Sequence, residues 1–166
     1  KAWAAGERTE KPWEMHTIAL DLMYNALDQL LMHSTQWNYT ASNRNDQAVG
    51  DGWNQEDLSI FSADQRADAG DVDSGGRGLK GFVRPYARAV AGRPLKMKFK
   101  RETGAFRFVY QADGEGETEI FVPTLQYPDG YDVEVEGGEA TRDDANQSLC
   151  VHAVGADKVG VMITRR

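Results

Sequence analysis

The apolar residues change period at Gly92, and that change constrains the fold more than any single motif. Upstream, Trp13, Leu20, Met23, Leu27, Leu30 and Leu31 recur at threes and fours, with Ile18 and Leu22 beside them. That is the period of an amphipathic helix with a broad buried face, predicted over residues 12–33 and opened by Pro12, whose missing amide hydrogen suits a first turn. Downstream the period is two. Leu95, Met97 and Phe99 alternate with lysines, followed by Phe106, Phe108 and Tyr110, then Ile120 and Val122, then Tyr131, Val133 and Val135, then Leu149, Val151 and Ala153, then Val159, Val161 and Ile163. Turn-forming separators such as Glu-Thr-Gly, Pro-Asp-Gly and Gly-Gly-Glu break these runs at hairpin intervals. The predicted fold class is α+β: a predominantly antiparallel β-sandwich of about six or seven strands, preceded by a helix, a strand, a long loop and a second helix. The domain boundary falls between residues 1–92 and 93–166.

Composition narrows the function classes. The 166 residues suffice for one ordinary domain or two small ones. Mean hydropathy is -0.60, and no apolar run approaches the roughly 20 residues of a membrane-spanning helix. With 19 Lys and Arg against 26 Asp and Glu, the net charge of -7 has the wrong sign for a chain whose affinity rests on neutralising phosphates, so nucleic acid is not an expected partner. Cys150 is the only cysteine; it forms no internal disulfide and reads as a small buried hydrophobe of its strand. Lys1 opens no recognisable signal sequence, and the chain reads as a processed product or a piece of a longer one.

Charge is segregated. Residues 44–73 hold eight acids and two bases, whereas residues 77–101 hold nine bases and no acid. The basic run reads first as a solvated face paired with the acids upstream, and secondly as a peripheral contact with an anionic membrane surface. Residues 35–40 (Thr-Gln-Trp-Asn-Tyr-Thr) read as a short buried strand, residues 41–76 as a long Asn-, Asp-, Ser- and Gly-rich loop with an apolar island at 58–61, and residues 78–86 as a helix stopped by Pro85. A loop of that length inside a compact domain points to function. Within it, Glu56 and Asp57 are adjacent and so point apart; they read as caps or as partners of an arginine, with Arg84 the expected brace. Asp71-Val-Asp-Ser-Gly begins like a calcium loop, but its twelfth position is Phe82 where a bidentate Glu is needed. His16, His33 and His152 stand without ligand spacing, so neither a metal nor any other cofactor is expected. Asn38 and Asn146 open glycosylation patterns, the first discounted because it lies on the presumed strand.

Three stretches are specific: Thr-Gln-Trp-Asn-Tyr-Thr-Ala-Ser-Asn at 35–43, Gly-Asp-Gly-Trp-Asn-Gln-Glu-Asp-Leu-Ser-Ile-Phe-Ser at 50–62, and Val-Arg-Pro-Tyr at 83–86 with Ala-Gly at 91–92. Together they resemble the C-terminal part of glycoside hydrolase family 5 enzymes of the endoglycoceramidase and β-glucosylceramidase type. The resemblance implies a (β/α)8 barrel followed by a small β-sandwich. The first helix would then be the seventh of the barrel, residues 36–40 its eighth strand and residues 78–86 its eighth helix. The loop after that strand would lie on the face where barrel enzymes build their sites. A retaining glycosidase needs two closely spaced carboxylates, and by this resemblance neither matches a position here, the nucleophilic Glu falling upstream of Lys1. The resemblance carries over the sugar-binding half instead. Trp37 would be the floor beneath the sugar, and Asn38, Asn43, Asp51, Trp53, Asn54 and Glu56 would line or brace the site.

The expected function is accordingly the C-terminal portion of a retaining β-glycosidase acting on glucosylceramide-like glucosides or others with an apolar aglycone. The alternative is a non-catalytic carbohydrate- or lipid-binding module, or one that only stabilises a barrel, built on the strands after Gly92. A partial barrel leaves an apolar helix face and strand edges open, so self-association or a missing upstream barrel is expected.

Overall fold

In the computed structural model, residues 13–46, 48, 50–52, 56–113 and 116–166 are described. Contacts divide them into two compact units, one within Lys1–Leu20 and Ser34–Phe82, the other Asp21–His33 with Val83–Arg166. Helix α1 (Glu14–Leu30) runs through residues of both. It ends at Leu31, whose φ of 52° turns the chain out of the helix while the Met32 amide donates to Leu27 O and the Leu31 amide to Asp28 O. The buried positions of α1 are Thr17, Asp21 and Asp28. Met15, Ile18, Leu22, Met23 and Leu30 are exposed, Leu22 at 65 %. This corrects the expected apolar inner face: Met23 and Leu30 lie outward, and the polar stripe at 21 and 28 is turned inward because a buried arginine, described below, needs its carboxylates.

The second unit is the sandwich. Among the described residues it has eight strands: β1 (Tyr86–Ala89), β2 (Gly92–Lys100), β3 (Ala105–Ala112), β4 (Thr118–Phe121), β5 (Tyr131–Glu136), β6 (Gly138–Asp143), β7 (Ser148–Ala153) and β8 (Lys158–Arg165). They form two four-stranded antiparallel sheets, ordered β1-β4-β7-β6 and β2-β3-β8-β5. The period-two residues face one another between the sheets: Phe99, Phe106, Phe108, Tyr110, Ile120, Leu149, Val151, Val159, Val161 and Ile163 are all buried in one cluster. Phe108 and Tyr110 stack at 5.6 Å between ring centroids. Burial of such side chains contributes roughly 1.5–3 kcal/mol each and is what holds a module this small together.

Two strands exceed the sequence expectation. β1 begins ahead of Gly92, at Tyr86, the last residue expected in the second helix; that helix, α2, is a single turn (Leu79–Phe82), and Pro85 separates it from the strand. β6 (Gly-Glu-Ala-Thr-Arg-Asp) carries almost no apolar signal, because it is a sheet edge held by its ladder to β7 with side chains mostly in solvent. Glycine is required where β2 begins: Gly92 has φ +140°, and a Cβ there would stand 2.0 Å from Gln111 O. Cys150 is half-buried rather than core. It lies on the outer face of β7, opposite Glu119 in register, and hydrogen bonding to Glu117 with partial burial pushes its thiol up to about 11.

Arg84 organises the chain entering the sandwich. It is 3 % exposed, lies 2.9 Å from Asp28 and 3.3 Å from Asp21, donates to Asn25 Oδ1 at 2.8 Å, and sits over the Phe99 ring at 5.0 Å. Burial raises the Asp28 carboxyl to about 6; Arg84 opposes that shift and the neighbouring Asp21 adds to it. The brace expected between Arg84 and the Glu56–Asp57 pair is replaced by this helix-borne set of acids.

Candidate functional site

The first unit has few large buried apolar side chains and is organised by hydrogen bonds around residues 36–62. Residues 35–40, expected as a buried strand, join no ladder among the described residues. Their backbone groups pair instead with the apolar island of the loop. The Ile60 amide donates to Asn38 O at 2.9 Å, and the Thr40 amide donates to Ser59 Oγ at 3.0 Å. The peptide bond between Trp37 and Asn38 is cis. Trp37 is 61 % exposed, and Tyr39 leans on Phe61 at 5.8 Å.

The residues after Trp37 belong to a polar hydrogen-bond scaffold. Asn38 Nδ2 donates to Asp51 Oδ2 at 2.9 Å, and the same oxygen accepts the Leu58 amide at 3.3 Å. The Asp51 amide closes the loop by donating to Glu56 O at 3.0 Å. Gly50 permits that closure, with φ +54° and an imagined Cβ only 1.9 Å from Glu56 O. Asn43 is fully buried; its Nδ2 donates to Asp57 Oδ1 at 3.0 Å and to Phe61 O at 2.8 Å. Asp57 in turn is the ion-pair partner of Arg77, whose Nε donates to Gln65 and whose guanidinium lies 5.0 Å from the Trp13 ring centroid. An unpartnered buried polar group costs roughly 1–3 kcal/mol, and these bonds offset that cost for the groups they join.

The sequence-predicted residues therefore fall into distinct places. Trp37 is exposed; Asn38 and Asp51 are bonded to one another; Asn43 is a buried strut; Glu56 is exposed, its carbonyl used by the loop. Trp53 and Asn54 lie outside the described residues. Asp57, Ser59 and Arg77 carry the scaffold and were not selected as site residues. Asp57 and Arg77 stand 20 residues apart, and no local spacing marks them as a pair. Asp71, read as the start of a calcium-like frame, instead accepts the Asp73 amide in a tight turn, while Ser74 Oγ accepts the Ala67 and Asp68 amides. Among the described residues no three His, Cys, Asp or Glu side chains converge as metal ligands. What this arrangement offers chemically is an exposed indole, next in sequence to an amide group held in place by a hydrogen bond to a carboxylate. An indole suits the C–H face of a sugar ring, with polar neighbours to read hydroxyls.

Comparison with known proteins gives these observations a family. Residues 84–164 match the glycoside hydrolase family 5 C-terminal domain. Over 130 residues the chain is 36 % identical to a glucosylceramidase of Rhizopus delemar, covering 69 % of this chain and 19 % of that protein. Over 86 residues it is 44 % identical to endoglycoceramidase I of Rhodococcus hoagii, covering 51 % of this chain and 17 % of that protein. The chain thus spans about a fifth of the length of these relatives. In fold it is similar to sterylglucosidase 1 of Cryptococcus neoformans, with a TM-score of 0.84 and 24 % identity over 99 % of this chain and 26 % of that one. The sandwich that residues 84–164 build is a C-terminal domain of glycoside hydrolase family 5.

Proposed function

We propose that the chain acts as the C-terminal portion of a retaining β-glycosidase that cleaves β-glucosidic bonds to an apolar aglycone, glucosylceramide-like in kind. The observation that carries this reading is the exposed Trp37 next to Asn38, which is held by Asp51, in a chain similar to a glucosylceramidase and an endoglycoceramidase. In this reading residues 1–92 contribute the last elements of a (β/α)8 barrel, apart from β1, which joins the C-terminal sandwich domain of residues 93–166. The exposed stripe of Met15, Ile18, Leu22, Met23 and Leu30 is then the surface that neighbouring barrel elements cover.

The division of labour follows from the groups present. Trp37 stacks beneath the glucosyl ring. Asn38, Asp51 and Glu56, with Trp53 and Asn54, line or support its edge, and Asn43 holds the loop in register. Asp51 and Asp57 are engaged as acceptors inside the scaffold, which suits bracing rather than attack at an anomeric carbon. The acid/base and nucleophilic carboxylates of a retaining mechanism come from barrel strands preceding α1.

Hydrolysis of a fluorogenic β-glucoside and of a fluorescent short-chain glucosylceramide tests the reading. The complete polypeptide carrying this sequence turns both over, and the 166-residue chain alone turns over neither. Turnover by the 166-residue chain that one Asp or Glu substitution within it abolishes would overturn the assignment.

A further inference from the structure

The outer face of the β2–β3 pair carries a row of cations that the sugar site does not use. Phe99 is buried and Met97 packs on the core, so alternation places Lys96, Lys98 and Lys100 on the opposite face of β2. Arg107, between the buried Phe106 and Phe108, stands on the same face of β3, directly opposite Lys98 in register. Arg93 extends the row and donates to Gln111 at 2.9 Å. Lys96, Lys98, Lys100 and Arg107 make no ion pair among the described residues.

The acids of the same sheet face lie on the strand farthest from the lysines. Asp132, Glu134 and Glu136 are exposed on β5, the far edge of the order β2-β3-β8-β5. Three strand spacings, about 14 Å, separate the β2 lysines from β5, and two, about 10 Å, separate Arg107 from it, against a screening length of about 8 Å at physiological salt. One sheet face is thus divided into a basic and an acidic half. The irregularity between Pro94 and Lys96 adds an apolar element, because it leaves Leu95 42 % exposed beside the lysines. Lysines on an edge strand can serve simply to block pairing with another sheet. Arg107 belongs to an interior strand and guards no edge, so that purpose does not explain the patch.

We infer that the outer face of the β2–β3 hairpin, through Lys96, Lys98, Lys100 and Arg107 with Leu95 beside them, is a docking surface for an anionic lipid bilayer. A nearly flat row of cations with an adjoining leucine fits a plane of acidic headgroups above an apolar layer, whereas a nucleic acid has no use for Leu95. The choice of a bilayer over other polyanions rests on the glycolipid reading above; the test measures binding without turnover, so the two stand or fall separately.

Flotation of the 166-residue chain with phosphatidylcholine vesicles, with and without 30 % phosphatidylserine, decides it. Each basic residue near an anionic surface is worth about fivefold in partitioning. The chain is expected to float with phosphatidylserine vesicles at low salt and not with neutral ones, and Lys96→Gln/Lys98→Gln/Lys100→Gln is expected to reduce the partition coefficient about a hundredfold. High salt should release the unmutated chain, a readout independent of the variant's folding. Glu134→Gln/Glu136→Gln should leave binding equal or stronger. Equal flotation with both vesicle types, unchanged binding by a folded triple variant, or equally tight binding to single-stranded DNA would overturn the inference.

Discussion

The two units are built on different chemistry. The sandwich buries aromatic and aliphatic side chains from both sheets in one cluster. The unit around Trp37 buries Asn43, Asp51, Ser59, Ser62 and Arg77, and joins them by directed hydrogen bonds. Apolar burial tolerates approximate partners, whereas a buried amide or carboxylate demands a particular one. The first unit is therefore the one able to fix a side chain's position for recognition, and the second is the one able to provide stability.

The largest effect expected from breaking this contrast is in the sandwich. Phe108→Ala should cost about 3–5 kcal/mol by leaving a cavity between the sheets, read as a fall in the urea midpoint. The Arg84 set is the exception inside the apolar unit, and it gives a pH signature. Because burial raises the Asp28 carboxyl to about 6 in the folded state, its contribution to stability is fully present below the unfolded value near 3.8 and is lost as pH rises through about 6. The loss should be on the order of 2 kcal/mol; it should be absent from Asp28→Asn and so appear as the difference between the two chains in melts run across that range. Asn43→Ala, which removes the donor to Asp57 and Phe61 O, should cost about 1–3 kcal/mol. That cost is local: hydrogen exchange of the Ile60 and Ala63 amides should accelerate while the sandwich's urea midpoint stays unchanged. Smallest is Val72→Ser, at a side chain 95 % exposed, where any change should stay within about 0.5 kcal/mol.

The same contrast explains what was legible in the sequence. β2, β3, β4, β5, β7 and β8 announce themselves by alternation, because each has one face in the core. β1 and β6 do not, since Tyr-Ala-Arg-Ala and Gly-Glu-Ala-Thr-Arg-Asp carry almost no large apolar side chains and are held by the ladders to β4 and β7. The period of α1 was visible, but which face turns inward was not, because the choice depends on Arg84, more than 50 residues away, and its demand for Asp21 and Asp28. The motif around Trp37 marked a specific region through its resemblance to a family. Its internal wiring was hidden for the same reason as the helix face: Asn38–Asp51, Asn43–Asp57 and Asp57–Arg77 link residues 13 to 20 apart with no periodicity between them.

The role of Trp37 is the center of the account, and kinetics of Trp37→Ala and Trp37→Phe on a fluorogenic β-glucoside, in the complete polypeptide carrying this sequence, test it most directly. Loss of a positioned sugar platform should lower kcat/KM about a hundredfold or more in Trp37→Ala, with partial recovery in Trp37→Phe and an unchanged urea midpoint. Kinetics of Trp37→Ala within twofold of the unmutated enzyme would contradict the account and remove the exposed indole from the site.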